Sequence, residues 1–141
     1  GDGEVIFKKY SPVGEMNGVA AQYVEVLNRS FALTAFVADR DRILAVSGAG
    51  RRELADRSIS LPLEKLMDAR KPYQNEGRAD RAVLPCEGSP RVLLCAVPII
   101  AAGDVTGAVG LLTEDRTAVP DDAQRKALSV AAAFLARQME E

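Results

Sequence analysis

The sequence predicts an α+β domain: an antiparallel sheet with the N- and C-terminal helices on one face and short helices and loops on the other. Three features of the chain lead to this class. Apolar residues recur at three- and four-residue steps near both ends of the chain, the period of amphipathic helices. Short β-rich runs fill the middle and are separated by connectors of turn-forming residues. Their order is helix, two strands, short helices, three strands, helix.

The chain opens on Gly1-Asp2-Gly3, turn chemistry that normally joins the two strands of a hairpin, followed by an alternating run over residues 4–10. That run reads as the second half of a hairpin, and Ser11-Pro12-Val13-Gly14 as a short linker. The expected division is therefore 1–13, a remnant strand and linker, and 14–141, the main domain. Over residues 15–31, Met16, Val19, Ala20, Tyr23, Val24, Leu27 and Phe31 form one apolar stripe on a helix. Two strands follow at 33–38 and 43–47. Asp39-Arg40-Asp41-Arg42 between them suits a tight turn and an antiparallel pair.

Residues 51–56 read as a short helix and 62–70 as a firmer one. Ser60 is positioned to cap the second, and Pro72 to end it. Three strands are expected at 79–85, 92–100 and 105–113. The second of these is almost continuously apolar, as a strand covered on both faces should be, and Pro98 within it suggests a bulge or a locally unpaired donor. Pro120-Asp121-Asp122 then starts a helix with a stop, a cap and acidic charge at its positive end. This helix should run to about Met139, with Leu128, Val130, Ala131, Phe134 and Leu135 among its buried residues.

Composition narrows the chemistry. The chain has 141 residues and 48% hydrophobic content. A chain of this size fills one domain without needing disulfides or metals. The net charge of −2, from 18 basic and 20 acidic residues, is a poor match for DNA phosphates. Histidine is absent, which removes His-based zinc sites, Ser-His-Asp triads and the usual general base near neutral pH. Cys86 and Cys95 lack metal-ligand spacing, so neither a metal nor a cofactor is expected. No run reaches the length of a membrane span, and the expected location is cytoplasmic.

Residues 3–12, Gly-Glu-Val-Ile-Phe-Lys-Lys-Tyr-Ser-Pro, resemble the end of an AbrB-type swapped-hairpin DNA-binding domain. Asp39-Arg40-Asp41 followed by Ala45-Val46-Ser47-Gly48, the Gly107-Ala108-Val109 step, and the ending over residues 132–140 resemble the sensor domain of the stage V sporulation protein T (SpoVT) family. The resemblance covers essentially the whole chain. It implies a GAF fold, dimerisation through a bundle of the first and last helices, and regulation of genes during endospore development. It also implies nucleoid association for the full-length protein, with DNA bound only through an N-terminal head.

Several site residues are expected on this reading. The homodimer interface should use Met16, Val19, Ala20, Tyr23, Leu27, Leu128, Ala131, Phe134, Leu135 and Gln138. A pocket for an unidentified small molecule is expected on the loop-covered face, with Ser47, Arg57, Met67, Tyr73, Cys95 and Val97 as candidate lining. Arg51 and Arg52, after Gly48-Ala49-Gly50, are candidates for meeting an anion, against the alternative of an exposed loop. A domain whose pocket is filled by its own side chains, acting only in assembly, is the rival; a cavity favours sensing and a collapsed face favours assembly.

The expectation is that the domain is not an enzyme. One GAF-fold family reduces free methionine sulfoxide with cysteines, and Cys86 and Cys95 bear on that alternative. For a hairpin turning at Gly88-Ser89, Cys95 faces position 82, and the four-residue offset from Cys86 is about 13 Å. A disulfide needs Cα atoms within about 7 Å, so the two are read as buried small hydrophobes.

Overall fold

A computed structural model describes residues 17–140. The expectations for residues 1–16, including the strand, the linker and Met16, lie outside the described residues. The elements are α1 (Asn17–Phe31), β1 (Thr34–Asp39), β2 (Ile43–Ser47), α2 (Arg51–Leu54), α3 (Leu61–Asp68), β3 (Tyr73–Gln74), β4 (Val92–Ala101), β5 (Asp104–Thr113) and α4 (Asp122–Glu140). The five strands form one antiparallel sheet in the order β2-β1-β5-β4-β3.

Strand alternation divides the core in two. In β1, Ala35 and Val37 turn toward α1 and α4, while Phe36 and Ala38 turn toward α2 and α3. The first layer is built from small residues, with Ala20, Val24 and Leu27 of α1 and Leu128, Ala131, Ala132, Leu135 and Ala136 of α4 lying on β1, β4 and β5. The second places Leu54, Leu63 and Met67 on Phe36, Leu93 and Leu112. Gly110, paired with Phe36 across β1 and β5, makes room for that ring, because a Cβ at this position would come within 2.5 Å of it.

Local chemistry sets the element ends. Asp39 Oδ1 accepts hydrogen bonds from the backbone N–H groups of Asp41 and Arg42, closing the β1–β2 turn. Ser60 Oγ accepts from Leu63 N and caps α3 as expected. At the start of α4, Gln124 N donates to Asp121 Oδ1 and Asp121 N donates to Gln124 Oε1, a reciprocal capping box.

One expected strand is replaced. Residues 79–85 form a single 3-10 turn, Ala79–Arg81, followed by irregular chain, and the edge strand is Tyr73–Gln74 instead. The reason is a division of hydrogen bonds. Val83 O accepts from Leu93 N, whereas Leu84 O and Pro85 O accept from Ser60 at the head of α3. The segment clamps two elements and cannot ladder along either. β4 is buried on both faces, with register shifts at Leu93/Cys95 and Ile99/Ile100. Pro98 pairs with Ala108 beyond the end of β3, where its missing donor costs nothing on the open edge.

Candidate functional site

Two surfaces are candidates for function. The first lies on the outer side of the two long helices. α1 and α4 each cover the sheet with one apolar stripe yet carry further apolar side chains away from it. Val26 and Val130 are 58% and 61% exposed, and Phe134 is 41% exposed. Together with Val19, Tyr23, Leu27, Phe31 and Ala127 they line an open groove of about 610 Å³ between the helices. Tyr23 and Phe134, both in its lining, have ring centroids 5.6 Å apart. That spacing is within the range of favourable aromatic pairs. Among the described residues, Lys126 is the only charged one lining the groove. Burial raises the Tyr23 hydroxyl above the ordinary tyrosine value.

The expected interface residues divide accordingly. Val19, Tyr23, Leu27 and Phe134 line the groove. Ala20, Leu128, Ala131 and Leu135 do not reach the outside: each is essentially fully buried in the protomer's own core. Gln138 is half-buried and lies outside the groove. Val130, expected among the buried residues of the last helix, and Val26, which no expectation names, complete the exposed face. Their signal is the width of the apolar stripe, which exceeds what one sheet can cover.

The second surface surrounds the loop-covered face. Its interior is closed: the space among Leu63, Leu66, Met67, Tyr73, Ala96, Pro98 and Ala108 amounts to about 10 Å³. That is the room of a single water at most. Met67 is fully buried there and packs in the core with Phe36, Leu63 and Leu93. Of the six expected pocket residues, Tyr73, Cys95 and Val97 share a small space of about 90 Å³ on the α4 side, with Arg125 and Ser129, and the other three lie apart. Ser47 lies beside α1 and α2, and Arg57 is exposed, donating to the carbonyls of Glu53 and Glu87. Cys95 and Val97 point to the α4 side of the sheet, because the shift at Leu93/Cys95 reverses the simple alternation from Leu93. Only Met67 and Tyr73 border the loop-side space.

Tyr73 sits on the edge strand and touches more than one concavity. A cleft of about 310 Å³ outside β3 is lined by Pro72, Tyr73, Gln74, Asn75, Glu76, Arg78 and Arg81. Burial, and then the charge of Glu76, raise the Tyr73 hydroxyl. Asn75 is buried: its Nδ2 donates to Arg116 O and Ala118 O, both at 2.9 Å, while its N–H donates to Leu94 O.

Arg51 and Arg52 are exposed at the head of a four-residue helix with no side-chain cap. The preceding Gly50, at φ +85°, lies against the Arg91 guanidinium, which is held by Glu114 at 2.9 Å. A helix this short collects little dipole, and the anion reading gains nothing from it.

Both cysteines are buried and free. Cys86 belongs to the core under α3 and Cys95 to the core under α4, so the sheet lies between them. Cys95 pairs with Gln74 and Leu111, not with position 82, since the segment around 82 is not a strand. Burial pushes the Cys95 thiol up to about 12, with Arg125 opposing and Asp121 adding to the shift. Burial likewise raises Cys86, against the charge of Arg57. Nucleophilic cysteines are shifted the other way. Among the described residues, no group of three His, Cys, Asp or Glu is placed to hold a metal ion, and no helix is long and apolar enough to cross a membrane.

Comparison with known proteins agrees with this architecture. A family model described as stage V sporulation protein T C-terminal, transcription factor, matches residues 15–140. Stage V sporulation protein T of Bacillus subtilis (strain 168) is 37% identical over 141 residues, covering 99% of this chain and 78% of the relative. Among solved structures, the cofactor-binding GAF domain of the nutrient sensor CodY from Clostridium difficile superimposes with a TM-score of 0.63 at 10% identity, covering 84% of this chain and 83% of that one. A type II free methionine-R-sulfoxide reductase from Thermoplasma acidophilum gives a TM-score of 0.66 at 12% identity, covering 90% and 94%. At such identities the two structures establish the GAF-like fold and nothing about chemistry.

Proposed function

Since this chain belongs to the stage V sporulation protein T C-terminal family of transcription factors, we propose that it is the dimerising and regulatory module of a sporulation regulator, joined through α1 to a DNA-binding head. The observation that carries the reading is the apolar groove along α1 and α4. An exposed face of this kind on a folded domain marks a partner surface. Its occupant is a second copy of the same chain. Two helices from each protomer, meeting about a twofold axis, bury Val26, Val130 and Phe134 in a four-helix bundle.

The closed loop-side core supports assembly over ligand capture at that face. Two protomers held together raise the effective concentration of the second DNA-binding head, which strengthens operator binding without any new DNA contact. The separated, protonated cysteines and the absence of histidine support action without catalysis. Fusing the domain to a DNA-binding domain that represses only as a dimer tests the reading. The wild-type fusion should repress, and Val130→Asp should not. Equal repression by both fusions would overturn the proposal.

A further inference from the structure

The cleft outside β3 is not the closed loop-side core and is not part of the helix groove. Its volume is about 310 Å³, and its lining is mixed. That size reaches the lower range of small-molecule sites. Pro72 and the Tyr73 ring supply apolar surface. Arg78 and Arg81 supply two guanidinium groups, which have no ion pair or side-chain hydrogen bond with any described residue. Glu76 is the only acidic residue among the described ones lining the cleft, so the lining carries a net positive charge. The two arginines that contact this wall from outside are engaged: Arg125 with Asp122, and Arg116 with Ala79 O.

The wall of the cleft is preorganised and mechanically connected. Buried Asn75 ties it to the carbonyls of Arg116 and Ala118, in the loop that feeds α4. Gln74 Oε1 accepts from Arg125 at 3.3 Å, in the first turn of α4 itself. Arg116 Nε donates to Ala79 O at 3.2 Å, closing a third link. Residues 74–79 therefore connect the cleft to the base of a helix that lines the apolar groove.

We propose that this cleft binds a small organic acid, its carboxylate or phosphate held by Arg78 and Arg81 and its apolar end resting on Tyr73, and that occupancy is transmitted to α4 through Gln74 and Asn75. Guanidinium groups recognise both oxyanions with the same forked geometry. The transmission to a dimer helix rests on the dimer reading above; the binding does not.

Calorimetric titration with benzoate and with phenyl phosphate, each an oxyanion carrying an apolar ring, tests the site and distinguishes the two oxyanion classes. At least one probe should bind saturably. The double variant Arg78→Gln/Arg81→Gln should weaken it by about thirtyfold or more, while Arg51→Gln/Arg52→Gln should leave it unchanged. Repeating the titration on Val130→Asp separates binding from dimerisation. Hydrogen exchange in the first turn of α4 should slow on binding in the wild type, and Gln74→Ala should reduce that slowing. The site is refuted if neither probe binds at about 10 mM, or if both arginine double variants bind as the wild type does. Binding without any change in α4 would refute the transmission.

Discussion

Replacing Val130 by Asp places a carboxylate in the middle of the helix groove at a position that contributes little to the fold of one protomer. Val130 is 61% exposed. Burying a whole Val, Leu or Phe side chain is worth about 1.5–3 kcal/mol, so covering the remaining surface is worth about 1–2 kcal/mol per copy. A twofold interface uses the residue twice, for about 2–4 kcal/mol, and at about 1.4 kcal/mol per decade Kd should rise by about 30- to 700-fold. Desolvating two carboxylates in an apolar groove adds to this. The cost to the isolated helix is below about 0.7 kcal/mol, so thermal unfolding of the protomer should change little. Sedimentation velocity over a dilution series gives Kd, and circular dichroism checks the fold. An unchanged Kd in a folded variant would show that Val130 lies outside any interface.

Other outcomes follow from the same structure. Asn75→Ala removes two hydrogen bonds and leaves the carbonyls of Arg116 and Ala118 unpaired. The loss should cost about 2–3 kcal/mol and lower Tm by roughly 8 °C; an unchanged Tm in a thermal melt would show that the latch is idle. Native protein should react slowly with iodoacetamide at neutral pH, since both thiols are buried and their titration is raised, whereas protein in denaturant should react at once. The Cys95 thiol titrates higher folded than unfolded, so its contribution to stability is whole below the ordinary value of 9.0 and is lost as pH rises toward about 12. That loss runs at about 1.4 kcal/mol per pH unit. Alkaline denaturation curves should be flatter for Cys95→Ala than for the wild type.

Much of the architecture is legible in the residues because the relevant signals are local. The Asp39 turn, the Ser60 cap and the Asp121–Gln124 box each depend on side chains within a few positions of the backbone they satisfy. The edge strand is different. Tyr73–Gln74 is two residues long and exists because β4 offers it partners, while Ala82-Val83-Leu84 has strand-like composition but lends its carbonyls to two separate elements. Pairing of that kind is decided by tertiary context.

The candidate sites divide along the same line. Periodicity identifies the apolar residues of α1 and α4 but not which neighbour covers each. Ala131 and Leu135 face the sheet, whereas Val130 and Phe134, one position earlier in each case, face outward. A single irregularity in β4 turns Cys95 and Val97 to the opposite face from the one expected. Arg78 and Arg81 carry no motif, because their cleft is built by the irregular chain around the 3-10 turn.

In the proposed dimer, the outer faces of α1 and α4 hold two copies together. Sedimentation equilibrium of the wild-type chain at tens of micromolar measures this without any variant or ligand. The expected mass is that of two chains, falling toward one only on strong dilution. A mass of one chain throughout, in folded protein, would overturn the dimer.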